Sequence, residues 1–169
     1  VSIGWSDWMQ EEECKYTCDG LLRLRDDLIV SEDVRLLPRT YHISDRNLSG
    51  VAIINVSNIT FDCLGASILG DGDRIGILID GENVTLKNCT IKKYGSAIHA
   101  TNSTLSVTNF TILNNVESFN LSYSNLTISN STICFNQAIR IFNSTISSSN
   151  NRLCVMLLSP SHGSVGRFS

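Results

Sequence analysis

From Ser96 to Asn151 the chain carries only two charged side chains, Glu117 and Arg140. Yet its 169 residues include 13 Lys or Arg and 16 Asp or Glu, nearly all of them before residue 96. A stretch this poor in charge cannot supply the paired carboxylates or acid–base partners that hydrolase and lyase chemistry needs. The net charge of −3, with a sequence pI near 5.5, argues against nucleic acid as a partner. No run approaches the roughly 20 apolar residues of a membrane-spanning helix. Leu153–Leu158, six residues long, suffices for one strand. The sequence starts at Val1 without a signal-like apolar core, which fits a mature chain whose leader has been removed, or a trimmed one. A neutral surface rich in Ser, Thr and Asn is poorly protected against self-association, so either sugars or another subunit should cover it.

What the sequence does have is a period. Ile77, Ile98, Phe119 and Ile139 form one column, and Ile79, Ala100, Leu121 and Ile141 a second. Val84, Leu105, Leu126 and Ile146 form a third, followed by Ile91, Ile112, Ile133 and Leu153. Each steps by 21, 21 and 20 residues. That period is too short for helical-hairpin repeats and fits one turn of a β-solenoid. Within a turn the apolar positions alternate, which is strand periodicity. Upstream, Val51, Ile53, Ile59, Phe61 and Ile68 precede Ile77, Ile79, Val84, Leu86 and Ile91 by 26, 26, 25, 25 and 23. The extra residues fall most simply in Gly65–Arg74, where Gly70-Asp71-Gly72-Asp73 predicts a protruding loop. A still earlier turn runs through Leu28-Ile29-Val30, Val34/Leu36 and Tyr41/Ile43. Five to six coils result, a stack roughly 25 Å tall at about 4.8 Å per coil.

Asn88, Asn109, Asn130 and Asn150 share one phase, two residues beyond inward positions. Alternation points them inward or places them at the corner after the strand, where Asn tolerates left-handed backbone angles. Stacked, they would form an amide ladder, with Thr90, Thr111 and Thr132 as a companion column. Eleven Asn-x-Ser/Thr sequons begin at Asn47, Asn55, Asn58, Asn83, Asn88, Asn102, Asn109, Asn120, Asn125, Asn130 and Asn143. The ladder geometry predicts that Asn88, Asn109 and Asn130 stay unmodified, because an inward amide cannot reach a glycosyltransferase. Turn or outward positions are expected for Asn47, Asn55, Asn58, Asn83, Asn102, Asn120, Asn125 and Asn143, with N-linked glycans on several of them.

Six cysteines are consistent with an oxidising compartment. Cys134 and Cys154 lie one coil apart in phase, which places their Cα atoms about 5 Å apart and predicts a bridge. Cys63 and Cys89 sit in neighbouring coils, slightly out of phase, and a bridge between them is plausible. Cys14 and Cys18 would then pair locally, or one could reach Cys63. A metal site from Cys14 and Cys18 with His42 or His99 lacks the repeated close spacing such sites show. A solenoid has two open ends that must be capped or will associate. Residues 1–27, with Trp5, Trp8, Met9 and Glu11-Glu12-Glu13, supply an N-terminal lid or an arm that docks on a neighbour. Ser6 could cap a short helix there. Residues 155–169 form a polar, Gly-bearing tail without a convincing C-terminal cap.

The runs Gly50–Gly65, Gly76–Ile79, Asn83–Ile91 and Leu37–Ile43 together resemble right-handed parallel β-helix proteins of the pectate-lyase-like superfold, most like secreted, archaeal-type surface repeats. The resemblance covers about residues 28–154. It implies fold rather than activity, since that superfold hosts lyases, hydrolases, adhesins and passive surface proteins. Lyases of the superfold hold calcium on acidic clusters beside an Arg or Lys base, and its hydrolases set two or three Asp on adjacent coils. The matching candidates are Asp62, Asp71, Asp73, Asp80 and Glu82, with Lys87, Lys92 and Lys93. All fit solvated turn residues, and a calcium ion on Asp71/Asp73 would have only two carboxylates from one loop. His99 has no acidic neighbour in its column.

The expectation is therefore an all-β, right-handed parallel β-helix of five to six coils over residues 28–154, with a cap or arm at 1–27 and a tail at 155–169. It should be an extracellular, disulfide-stapled structural glycoprotein, not an enzyme, with no cofactor, assembling end to end with copies of itself. The alternative is a carbohydrate-active or polysaccharide-binding module using the acids just named along one groove, or an adhesin.

Overall fold

The computed structural model describes residues 17–18, 20–135 and 139–155. Six coils follow one another, each contributing one strand to each of three six-stranded parallel sheets. Face 1 stacks Leu28–Val30, Ala52–Ile54, Ile75–Ile79, Ser96–Thr101, Glu117–Ser122 and Arg140–Phe142. Face 2 stacks Val34–Arg35, Ile59–Asp62, Val84–Lys87, Thr104–Thr108, Asn125–Ser129 and Thr145–Ser149. Face 3 stacks Thr40–His42, Ser67–Leu69, Thr90–Lys92, Thr111–Leu113, Thr132–Phe135 and Arg152–Val155. The coils are numbered 1 to 6 in that order. No helix forms among the described residues, so none there is long and apolar enough to cross a membrane.

β-Branched side chains suit this pleated, half-buried surface, and each column packs directly on itself. Ile91 pairs with Ile68 below and Ile112 above, and Ile112 with Ile133. Val84 pairs with Ile59 and Leu105, Leu105 with Leu126, and Leu126 with Ile146. Ile98 lies between Ile77 and Phe119. These side chains fill a single central core along the stack, with Phe61, Tyr94, Phe110 and Phe119 among its largest members.

One expected register is off by a residue. Ala52 and Ile54, not Val51 and Ile53, pair with Ile77 and Ile79, and Ile53 is half-exposed beneath Leu78. The run Val51-Ala52-Ile53-Ile54 is apolar throughout and so carries no phase. Val51 is buried before the strand, where its N–H donates to Ile75 and Gly76 carbonyls at 3.3 and 3.0 Å.

Glycine appears where two coils would otherwise collide. Tyr94 reaches past coil 2, and its hydroxyl donates to the Ile43 carbonyl of coil 1 at 2.6 Å. A Cβ at Gly70 would lie 2.6 Å from the Tyr94 ring. At Gly81 a Cβ would lie 2.2 Å from the Val56 carbonyl oxygen. Before coil 1, Thr17–Cys18 and Leu21–Leu22 form a short antiparallel pair. Leu22 bridges to Leu36, and Leu24 is buried, so residues 21–24 lie over the first coil. Trp5, Ser6, Trp8, Met9, Glu11–Glu13 and Cys14 fall outside the described residues, as do 156–169.

Candidate functional site

The chemistry-bearing residues of this solenoid gather at its corners. Fourteen described non-glycine residues have positive φ, and nine of them are Asn. Left-handed backbone costs most side chains energy, while Asn adopts it readily. At the corner between faces 1 and 2 the positions are Asn58, Asn83, Asn102, Tyr123 and Asn143. Between faces 2 and 3 they are Leu64, Asn88, Asn109, Asn130 and Asn150, and between faces 3 and 1 they include Lys93 and Asn114.

The inward alternative for the Asn88 column is thereby corrected. Asn88 is half-buried, and Asn109, Asn130 and Asn150 are exposed. The left-handed residue breaks the strand's alternation, so counting two past an inward residue no longer returns to the interior. The ladder exists at its lower end: Asn109 Nδ2 donates to Asn88 Oδ1 at 3.2 Å, and Asn88 Nδ2 to Asp62 Oδ1 at 2.9 Å. A second rung joins Asn83 Nδ2 to Asn58 Oδ1 at 2.8 Å. Of the other sequon residues, Asn47, Asn55, Asn58, Asn83, Asn102, Asn125 and Asn143 are exposed, and Asn120 is half-exposed on face 1 between His99 and Arg140. Six sequons precede or open face 2 (Asn55, Asn58, Asn83, Asn102, Asn125, Asn143) and three follow it (Asn88, Asn109, Asn130). Face 3 carries none.

Buried corner N–H groups are satisfied by a different set of side chains, which the Asn column does not reveal. Ser103 Oγ accepts from Gly81 N–H at 3.2 Å and donates to the Thr101 carbonyl at 2.7 Å. Ser124 repeats this one coil higher, accepting from Ser103 N–H at 3.1 Å and donating to Ser122 at 2.8 Å. Ser144 repeats it again, on Ser124 N–H and the Phe142 carbonyl, both at 2.8 Å. Ser131 plays the same part for Phe110 N–H at 3.0 Å. Asn115 serves Tyr94 N–H at 2.9 Å, and Asn151 serves Ser131 N–H at 2.9 Å. A buried donor without such an acceptor would cost about 1–3 kcal/mol. The signal was present in the sequence, since Ser103, Ser124 and Ser144 step by 21 and 20.

Cys63 and Cys89 lie at disulfide distance, Cα–Cα 4.9 Å, as do Cys134 and Cys154 at 4.3 Å. The first pair is buried and the second is half-exposed on the outer surface of face 3. Cys14 and the side chain of Cys18 fall outside the described residues.

The candidate acids are not brought into one groove. Asp71, Asp73, Asp80 and Glu82 are exposed on a loop and a corner. Asp62 is buried and held by the Asn88 amide, the Leu64 N–H at 2.9 Å and the Lys87 ammonium at 3.4 Å. Burial pushes its carboxyl up, but these three partners outweigh it and hold Asp62 below its ordinary value. In the charge-poor half, Glu117 and Arg140 form an ion pair with each other across coils 5 and 6. Lys92 and His99 are half-buried outward residues and Lys93 is exposed at a left-handed corner, each on the outside of the coil.

A constellation that the period does not predict lies at the first coil. Asp26, Asp27 and Asp45 bring carboxylate oxygens within 4.8 Å of one another, the donor type that a hard cation takes. Asp45 is buried and accepts from Ile75 N–H at 3.2 Å, while Asp26 Oδ1 has no hydrogen-bond partner. Burial, then the neighbouring Asp27, raises the Asp26 carboxyl despite the Arg46 backbone N–H, with Asp45 adding to the rise. Beside it a cleft of about 480 Å³ is lined by Arg23, Arg25, Asp26, His42 and Arg46 among others. Burial and the charges of Asp71, Asp26 and Asp45 push the Tyr94 phenol well above its usual value.

At the opposite end, nothing among the described residues covers the apolar columns of coil 6. Ile141 and Leu153 are each 47% exposed, whereas Leu121 and Ile133 below them are 0% and 2%; Phe142, 55% exposed, stands in the outward column above Ser122. Phe142 stacks edge-on against Tyr123, with ring centroids 5.2 Å apart. Compared with family models, with curated proteins and with solved structures, the chain matches none. The family-level part of the pectate-lyase-like resemblance therefore has no support beyond the shared solenoid architecture.

Proposed function

We propose that this chain is an extracellular structural glycoprotein whose solenoids stack end to end into a filament or layer. The observation that carries the reading is coil 6, whose apolar columns no described residue covers. On faces 1 and 3 its inward positions Ile141 and Leu153 continue the apolar columns of the coils beneath, so a further set of parallel strands would bury them as coil 6 buries Leu121 and Ile133. An end of this kind associates unless something caps it. Two cysteine pairs at disulfide distance support an oxidising compartment. Sequons on outward corners support a glycan coat over a surface with little charge. The separation of the buried, paired Asp62 from the exposed Asp71, Asp73, Asp80 and Glu82 favours a structural role over catalysis.

The test is sedimentation of the secreted full-length protein across a wide concentration range, beside Leu153→Glu and Ile141→Lys. The parent should associate with rising concentration, and both variants should remain monomeric at unchanged circular dichroism. A parent that stays monomeric throughout overturns the assembly, as does association undiminished in both variants.

A further inference from the structure

Glycan attachment at the outward corners has a consequence for two sequons that strand alternation assigns to the interior. We propose that Asn109 and Asn130 are N-glycosylation acceptors, fencing face 2 with oligosaccharide on its second edge as well as its first; this rests on the glycoprotein reading above. Both residues are exposed, with φ of 53° and 50°, at the corner between faces 2 and 3. The Thr of each sequon, Thr111 and Thr132, opens the next strand, and the middle residues Phe110 and Ser131 are buried. The asparagine thus marks the point where the chain leaves face 2, with its side chain on the outside of a corner whose next residue is anchored in the core.

The ladder does not compete with the modification. Transfer from a lipid-pyrophosphate-linked oligosaccharide breaks the bond between the anomeric carbon and the pyrophosphate oxygen and forms one from that carbon to Nδ2. The amide gives up one proton, the lipid pyrophosphate departs, and nothing is oxidised or reduced. A secondary amide with one N–H remains. Asn109 uses only one N–H toward Asn88 Oδ1, so the glycosylated residue keeps its rung while the sugar replaces the other hydrogen. The backbone N–H groups of Asn109 and Asn130 are already paired, to Ser129 and Ser149 carbonyls at 3.2 Å each. Because Phe110 and Ser131 are locked into the fold, transfer belongs to the chain before the coil closes. Asn88 is the internal contrast: it is half-buried, its amide is bound to Asp62, and the middle residue of its sequon is Cys89, paired with Cys63.

The experiment uses the full chain secreted from a eukaryotic host. Enzymatic deglycosylation in heavy-oxygen water leaves a labelled aspartate at each former site, read by mass spectrometry. A tryptic peptide spanning 94–140 would hold five sequons, so cleavage after aromatic residues and leucine is needed to separate Asn109 from Asn130. Label at both, with Asn88 unlabelled, is the expected result. Labels at Asn55, Asn58 or Asn102 but at neither Asn109 nor Asn130 overturn this inference and leave the glycoprotein reading standing. No label anywhere overturns both. As a check that does not alter the asparagine, Thr111→Val and Thr132→Val should each remove one glycan step from the electrophoretic mobility. Unchanged mobility in both again overturns the assignment.

Discussion

On face 3, coils 4 and 6 carry the same apolar column, yet only coil 4 has an interior there. Ile112 is fully buried, and Leu153, in the same column two coils higher, is 47% exposed. The two positions have like chemistry and like registers, so the difference comes from the neighbour above. Burial in a solenoid belongs to pairs of coils, and among the described residues coil 6 has half of its partners. The comparison is broken or sharpened most strongly by truncating both positions. Ile112→Ala removes side-chain volume enclosed on every side and should cost about 2–5 kcal/mol in urea unfolding of the dilute monomer. Leu153→Ala, half in water already, should cost roughly half as much or less. Equal costs under monomeric conditions would mean that coil 6 is covered after all. If the gap closes only as concentration rises, another molecule supplies the cover.

A finer contrast lies within face 2 and its flanking corner, between two serines of the same neutral half. Ser124 is buried, accepts from Ser103 N–H and donates to the Ser122 carbonyl. Ser106 sits mid-strand on the outward side of face 2. Ser124→Ala deletes an acceptor and leaves the Ser103 amide without its partner inside the protein, for a loss of about 1–3 kcal/mol. Ser106→Ala should stay within about 0.5 kcal/mol of the parent. Chemical denaturation of the two variants side by side is enough. Should Ser124→Ala prove as mild as Ser106→Ala, water must reach the corner and the hydroxyl ladder is dispensable.

The parts of this molecule that were legible beforehand are those the period governs. Ile91, Ile112 and Ile133 stand in single file because one circuit of the backbone returns each side chain above the last, and a constant offset reveals that directly. Cys134 and Cys154 follow from the same arithmetic. The serine ladder obeyed the period too, but serine reads equally well as neutral surface, and only the folded corner shows the hydroxyl turned inward. Alternation failed where its premise fails. Val51–Ile54 is apolar at every position, and the residues of the Asn88 column are themselves left-handed, which ends the alternation there. Asp26, Asp27 and Asp45 had no periodic signal, because they meet across the irregular connection that closes coil 1. Conformation of that connection, not spacing, decides which carboxylates face each other.

Those acids also give the smallest measurable contrast, between Asp26 at the first coil and Asp62 at the foot of the amide ladder. The Asp62 carboxyl lies below its ordinary value when folded. It therefore adds stability that is present above the unfolded carboxylate pKa, near 3.9, and lost as pH falls through the lower folded value. Asp26 is raised, so its charged form opposes folding at neutral pH, and that penalty is relieved as pH falls through its folded pKa. Asp62→Asn keeps an acceptor for the Leu64 N–H and removes the charge facing Lys87, whose side chain is 41% exposed. The expected loss at neutral pH is about 0.2–1 kcal/mol, vanishing in acid. Asp26→Asn should act in the opposite sense, a small gain at neutral pH that also disappears in acid. Unfolding free energies measured from neutral pH down to acid would show the two variants converging on the parent from opposite sides. If both shift the curve the same way, the two carboxyls occupy equivalent surroundings and the distinction between corner and cluster is lost.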